Sequence, residues 1–270
     1  MPEKVNVWTV LFLLGTGVPV VVSERNDPNR HPESRIKRIL RCLFYPFAKG
    51  FIFQTKDAAR YFSHAIQKRG IVLDNPLDTS RIPARFEGER KHSVVAAGRL
   101  HEQKNFDLLI RAFARFYKTH HDYSLVIYGE GPEKEKLQKT ASSLGIAGAV
   151  ELAGQSKTLL EDINDSSLFV LSSDYEGMPN VLIEAMACGL CCIATDCPIG
   201  GVRSLIASGE NGLLIPVGDE DALYDAMTRL ADDESYASWL GQRAAAIRTR
   251  LDETVVAKQW KEYLDSIANC

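Results

Sequence analysis

Two glutamates pose the first chemical question. Glu176 and Glu184 have seven residues between them in DYEGMPNVLIEAMACGLCCIAT, a stretch that passes from loop to helix at Pro179. Proline is preorganised for a helix start, and the loop ahead of it can turn the amides of Gly177, Met178, Asn180 and Val181 toward an anionic or hydroxyl-rich ligand. Carboxylates suit sugars because each accepts several hydroxyl hydrogens. One turn into the helix, Glu184 is placed to take both hydroxyl hydrogens of a ribose, as acidic residues do in other Rossmann-like sites. Glu176, still in the loop, suits the hydroxyls of a transferred sugar or the positive charge developing at its anomeric carbon.

A second constellation is GRLHEQKN, residues 98–105, which carries Gly98, Arg99 and Lys104 between a predicted strand and a predicted helix capped by Asn105. A turn there aims a helix N-terminus and two cations at one point, an arrangement suited to a diphosphate. The competing reading is a surface loop with two solvated cations. Gly129-Glu130-Gly131 also follows a predicted strand, but it lacks the third glycine of a dinucleotide fingerprint.

These residues need elements to hold them. From Ser93 onward, short β-branched runs alternate with segments of helical period, the pattern of a parallel sheet covered on both faces. Strands are predicted over 93–97, 124–128, 150–153, 168–172, 191–195 and 212–215. Phe106, Leu109, Ile110, Phe113 and Tyr117 recur at helical spacing, and further helices are predicted over 132–144, 179–188, 220–231, 235–250 and 253–267. Before this domain the sequence predicts a short buried helix in the apolar stretch 5–22, strands near 20–23 and 50–54, and a helix from Asp57. The turn-rich stretch 74–90 reads as a linker. The expected divisions are residues 1–78, 79–250 and a final helix, 251–270, that crosses back to the first part.

The 270 residues are 45% hydrophobic and 25% charged, as in globular domains, and a formal net charge of −3 leaves no basic footprint for nucleic acid. Four of the six cysteines lie between Cys188 and Cys197. No second ligand pair follows their CxxC, and Cys191 and Cys192 open an apolar run, so they read as reduced core residues. No cleavable leader is expected, which places the chain in the cytoplasm.

Together, GRL followed by KN, then EGMPNVLIEAMACG, TDCPIGGVRSLI and GENGLLIPVGD resemble, in order over residues 92–230, the family 4 retaining glycosyltransferases. The resemblance implies an α/β GT-B fold of two Rossmann-like domains, with the C-terminal one complete and the N-terminal one truncated. It implies that Arg99 and Lys104, beside Gly98, neutralise the diphosphate of a nucleotide sugar and that Glu184 holds the ribose. Glu176 and the 177–180 loop would hold the donor sugar, with Gly129 at the mouth of the cleft and the loop from Gly154 near the base. The implied reaction retains anomeric configuration, needs neither metal nor cofactor, and transfers a hexose or N-acetylhexosamine, expected from a UDP-sugar, to a glycan or lipid-linked acceptor. SERNDP and FIFQTKDAARYF resemble the second half of the acceptor lobe in polysaccharide-building members. The competing readings are a non-catalytic nucleotide-sugar-binding module and an epimerase or hydrolase.

The segment from Arg35 to Phe47 interleaves Arg35, Lys37, Arg38 and Arg41 with Ile36, Ile39, Leu40, Leu43 and Phe44. A basic amphipathic helix of this kind can lie on the inner face of an anionic membrane, and equally can pack its apolar stripe inward as an ordinary surface helix.

Overall fold

The computed structural model describes residues 3–32 and 34–268. Two parallel sheets organise the chain. The first is small, with β1 (Val21–Glu24), β2 (Gly50–Phe53) and β3 (Gly70–Val72) in that order. Helices α1 (Glu3–Leu13), α2 (Arg35–Phe44), α3 (Lys56–Arg60) and α4 (His64–Gln67) surround it.

The second sheet contains β4 (Lys91–Ala97), β5 (Ser124–Tyr128), β6 (Val150–Gly154), β7 (Ser166–Leu171), β8 (Cys191–Thr195) and β9 (Leu213–Ile215). Their spatial order is β6-β5-β4-β7-β8-β9. Around it lie α5 (Phe106–Phe116), α6 (Lys134–Ser143), α7 (Leu159–Ile163), α8 (Asn180–Ala187), α9 (Glu220–Asp232), α10 (Glu234–Ala244) and α11 (Ile247–Leu251). Because β4 to β6 run outward on one side and β7 starts on the other, the strand order reverses between β4 and β7. In open α/β sheets, ligands settle beyond the carboxyl ends of the strands at this kind of reversal.

Buried side chains line both faces of the second sheet. Val94, Ala96 and Ile193 meet α5 and α9 on one face, while Val95, Phe169 and Ala194 meet α8 on the other. The side chain of Asn105, at φ 44°, caps α5 by accepting from the Leu108 amide at 3.3 Å. Asparagine enters this left-handed region more readily than most residues.

The final helix, α12 (Glu253–Ala268), returns to the first sheet, where the Tyr263 hydroxyl accepts from the Phe51 amide at 2.8 Å and donates to the Arg69 carbonyl at 2.5 Å. The outgoing and returning strands of the chain are joined between Leu77 and its neighbours: the Leu77 amide bonds the Leu251 carbonyl at 2.7 Å, and Glu253 donates back to Leu77 at 3.0 Å.

Three expectations need correction. Helix α1 is not a buried helix: Val7 and Val10 are buried, whereas Trp8 is 46% and Phe12 74% exposed, because the sheet beneath covers one stripe only. Strand β3 lies where no strand is predicted, and it forms by pairing in parallel with β2. The helix expected over 235–250 is two helices, with α11 redirected where Arg248 donates to the carbonyls of Ala187 and Pro83 at 2.5 and 2.7 Å.

Candidate active site at the sheet reversal

Beyond the carboxyl ends of β4, β5 and β6 lies a cleft of about 480 Å³, lined by Gly98, Arg99, Tyr128, Gly129, Gln155 and Ser156 and closed by Asn180, Val181 and Glu184 of α8. Gly129 is required by close approach. At φ 139° a Cβ there would lie 1.9 Å from the Gly98 carbonyl oxygen, so only glycine lets the β4 and β5 turns meet. Asn180 and Val181 open α8, and the first amides of a helix have no carbonyl one turn back to bond. The positive end of that helix therefore borders the cleft.

Glu184 is half-buried, and loss of water pushes its carboxyl above the ordinary range, with the Arg81 guanidinium partly opposing the shift. It also lines a neighbouring cavity of about 200 Å³ with Arg81, Asp78 and Leu160. The carboxylate is held in place by its helix, while Leu182, Ile183 and Met186 of that helix are buried beneath it.

Glu176 and Lys104 meet each other beside this cleft. The Lys104 ammonium lies 2.5 Å from Glu176 Oε1, and the same oxygen accepts from the Ser173 hydroxyl at 2.8 Å. Both side chains are largely buried, 15% and 9% exposed, so solvent screens their attraction less than it does between surface charges. Lys104 reaches Glu176 by crossing Gly98, where a Cβ would stand 2.9 Å from the lysine Cε. The two loops are joined along their length: the Asp174 amide donates to the Gln103 carbonyl at 2.9 Å, Gln103 Nε2 to the Tyr175 carbonyl at 2.8 Å, and Asn105 Nδ2 to Asp174 at 2.8 Å.

The predicted site residues thus divide into groups. Gly98, Arg99, Gly129, Asn180, Val181 and Glu184 line one cleft, and Lys104 pairs with Glu176 at its side. Gly154 supports the cleft from behind, its carbonyl accepting from the Gly129 amide at 2.7 Å, while Pro179 precedes α8 as its N-cap residue. Met178 departs from the expectation of a ligand-facing amide, and Gly177 packs against the first sheet's side. Met178 N donates to Gln54 Oε1 at 3.2 Å, and a Cβ on Gly177 would lie 2.4 Å from the Arg25 carbonyl. Those two residues are committed to the first sheet's side of the molecule. Gln54, and Asn75, whose Nδ2 donates to the Met178 carbonyl at 3.1 Å, were missed by sequence reasoning; the FIFQTK resemblance marked the neighbourhood of Gln54, and nothing in the sequence marked Asn75.

The cysteine cluster contributes packing. Cys188, Cys191, Cys192 and Cys197 are buried, and burial pushes the Cys191 thiol up to about 12, far from the reactive thiolate range.

Residues 80–246 match the family described as glycosyl transferases, group 1. The chain belongs to that family. Among its relatives, it is 35% identical over 178 residues to an exopolysaccharide phosphotransferase of Streptomyces coelicolor, covering 66% of this chain and 19% of that protein. It is 28% identical over 264 residues to the N-acetylgalactosamine-N,N'-diacetylbacillosaminyl-diphospho-undecaprenol 4-alpha-N-acetylgalactosaminyltransferase of Campylobacter jejuni, covering 93% of this chain and 71% of that one. The fold matches Anabaena HepE, solved with UDP and glucose, at a TM-score of 0.87 and 21% identity over 98% of this chain and 76% of HepE. The two-sheet architecture is the GT-B fold seen in such neighbours.

Proposed function

We propose that this group 1 glycosyl transferase binds a nucleotide diphosphate sugar, with UDP as carrier, in the cleft beyond β4, and transfers a hexose or N-acetylhexosamine to a glycan or lipid-linked acceptor with retention of configuration. The observation that carries the reading is the convergence of Arg99, Glu184 and the α8 N-terminus on one cleft, with the Lys104–Glu176 pair at its side. Glu184 accepts the ribose hydroxyl hydrogens. Arg99, Lys104 and the helix end stabilise the leaving diphosphate, which is the part a divalent ion plays elsewhere, so the reaction proceeds without metal. In this reading the acceptor hydroxyl attacks from the face the diphosphate leaves: the new glycosidic C–O bond forms as the sugar–phosphate bond breaks, and a phosphate oxygen takes the hydroxyl proton. Glu176 faces the donor sugar, its charge held in place by Lys104. The UDP and UDP-glucose complexes of the HepE fold support this donor class.

The acceptor reading extends to a membrane surface. Helix α2 buries Arg41 and turns Ile36, Ile39 and Leu43 outward, 70%, 60% and 58% exposed, next to the exposed Arg35 and Lys37. An apolar stripe flanked by cations suits the interface of an anionic bilayer, where a lipid-linked acceptor resides. No helix among the described residues is long and apolar enough to cross a membrane.

Calorimetric titration with UDP and UDP-sugars, without and then with added divalent metal, tests the donor assignment. Binding that requires metal, or no binding to any uridine nucleotide, would sink it. Flotation with vesicles containing anionic lipid tests the surface, and protein left at the bottom of the gradient refutes it.

A further inference from the structure

Two side chains from the first sheet's lobe hold a peptide of the other lobe on both its edges. Gln54, at the end of β2, accepts the Met178 N–H through Oε1 at 3.2 Å, and Asn75, just beyond β3, donates through Nδ2 to the Met178 carbonyl at 3.1 Å. Gln54 Nε2 in turn donates to Asn75 Oδ1 at 2.7 Å, and Arg25 donates to the same oxygen. Because Met178 presents one donor and one acceptor, each carboxamide has only one orientation that satisfies the ring. Gln54 and Asn75 are 4% and 5% exposed, so no water competes for these bonds.

The ring reaches the cleft through one residue. Asn75 Nδ2 also donates to Asn180 Oδ1 at 2.6 Å, which leaves the NH₂ of Asn180 as the group its side chain can offer to a ligand. Asn180 lines the cleft beside Glu184 and Arg99. A further contact holds the same loop from the same lobe, the Arg30 guanidinium lying 4.3 Å over the Tyr175 ring. On its other side, a Cβ on Gly201 would stand 1.4 Å from the Gly177 carbonyl oxygen, so the loop has no room to move away from the clamp.

We infer that Gln54 and Asn75 are positioning residues that fix the 176–180 loop and the Asn180 carboxamide for recognition of the donor's sugar, so that this half of the donor pocket has its shape only when the two lobes are docked. The inference rests on the nucleotide-sugar reading above. It separates the donor into two parts: the nucleotide, held by Arg99, Glu184 and the second lobe alone, and the sugar, whose binding surface depends on the first lobe.

The test is calorimetry of the full chain with UDP, UDP-glucose, UDP-N-acetylglucosamine and UDP-N-acetylgalactosamine, for the wild type and for Asn75→Ala, Asn75→Asp and Gln54→Glu. Asn75→Ala is expected to weaken the bound UDP-sugar about tenfold, the scale of losing a buried hydrogen bond, while UDP itself stays within about twofold. Asn75→Asp has the same shape without the NH₂ donors and should fail to rescue. Gln54→Glu keeps an acceptor for Met178 but not the donor to Asn75, and should fall between Asn75→Ala and the wild type. Parallel losses for UDP and UDP-sugar, unchanged UDP-sugar affinity, or rescue by Asn75→Asp would each overturn the inference. Urea midpoints of the variants identify any that fail to fold, and Gln54→Glu, which changes one atom, then carries the test. A wild type that binds none of the four probes fails earlier, at the donor assignment, and is read separately from the variants.

Discussion

Helices α2 and α8 belong to the two halves of the molecule and bury opposite kinds of residue. In α8 the inward positions are Leu182, Ile183, Ala185 and Met186, and its carboxylate stands at the cleft. In α2 the one buried residue is Arg41, and the isoleucines face solvent. The arginine is held by the carbonyls of His31 and Pro28 at 2.8 and 3.0 Å and by the Tyr61 hydroxyl at 2.9 Å, and it faces the buried Glu24 carboxylate at 3.8 Å. Tyr45 donates to that same carboxylate, and burial followed by the Glu24 charge pushes its hydroxyl pKa upward. Hydrophobic periodicity therefore tells which side chains share a face, while the partners waiting inside decide which face turns inward.

The strongest challenge to this contrast is Arg41→Ala. Removing the cation from a buried, hydrogen-bonded pair should destabilise the first lobe by about 4 kcal/mol, read by urea denaturation with Trp8 fluorescence. A cost below about 1 kcal/mol would show that α2 does not depend on its arginine. Ile183→Ala, the apolar counterpart in α8, should cost about 3 kcal/mol through the cavity it leaves.

The site sharpens the contrast further. Lys104→Ala is expected to weaken UDP-sugar binding about thirtyfold and Glu176→Ala about fivefold, since in the proposed reading the lysine meets the leaving charge and the carboxylate meets neutral hydroxyls. Equal losses would mean that the two act only as a pair.

Glu184→Gln gives a smaller effect with a defined sign. Its folded-state pKa is raised, so as pH climbs above the ordinary carboxylate value the unfolded chain releases this proton first and stability falls until the folded group has ionised too. Thermal melts from pH 4 to 7 should show Glu184→Gln lacking that decline, while wild-type UDP binding strengthens as the carboxylate ionises and the variant's does not. A wild-type melting curve no steeper than the variant's would remove Glu184 from the account. At the small end, Leu43→Ser on the outer face of α2 should change stability by less than about 0.5 kcal/mol while reducing vesicle binding. A large loss of stability would mean that the stripe is covered within the protein.

Much of the second sheet could be read from sequence because its strands are continuous apolar runs and its helices carry both period and caps, Asn105 among them. Arg99, Glu176 and Glu184 could be singled out because chemistry-bearing side chains followed strand ends or a helix start. Gln54 and Asn75 could not, since an amide side chain in a loop carries no periodic signal and its partner lies more than a hundred residues away. The same holds for β3, three residues long, whose existence depends on pairing with β2.

The sequence alone determined the α/β class, the alternation that builds a parallel sheet, and the order of the motifs that placed the chain among the glycosyl transferases. Those are local properties, written in backbone preference and in the spacing of apolar residues. Only the tertiary structure decided that Lys104 would meet Glu176 across 72 positions, that α2 would turn its arginine inward, and that the first lobe would hold the loop beside the cleft. Each of these depends on a hydrogen bond or ion pair between distant segments, whose strength comes from burial that only the assembled fold provides.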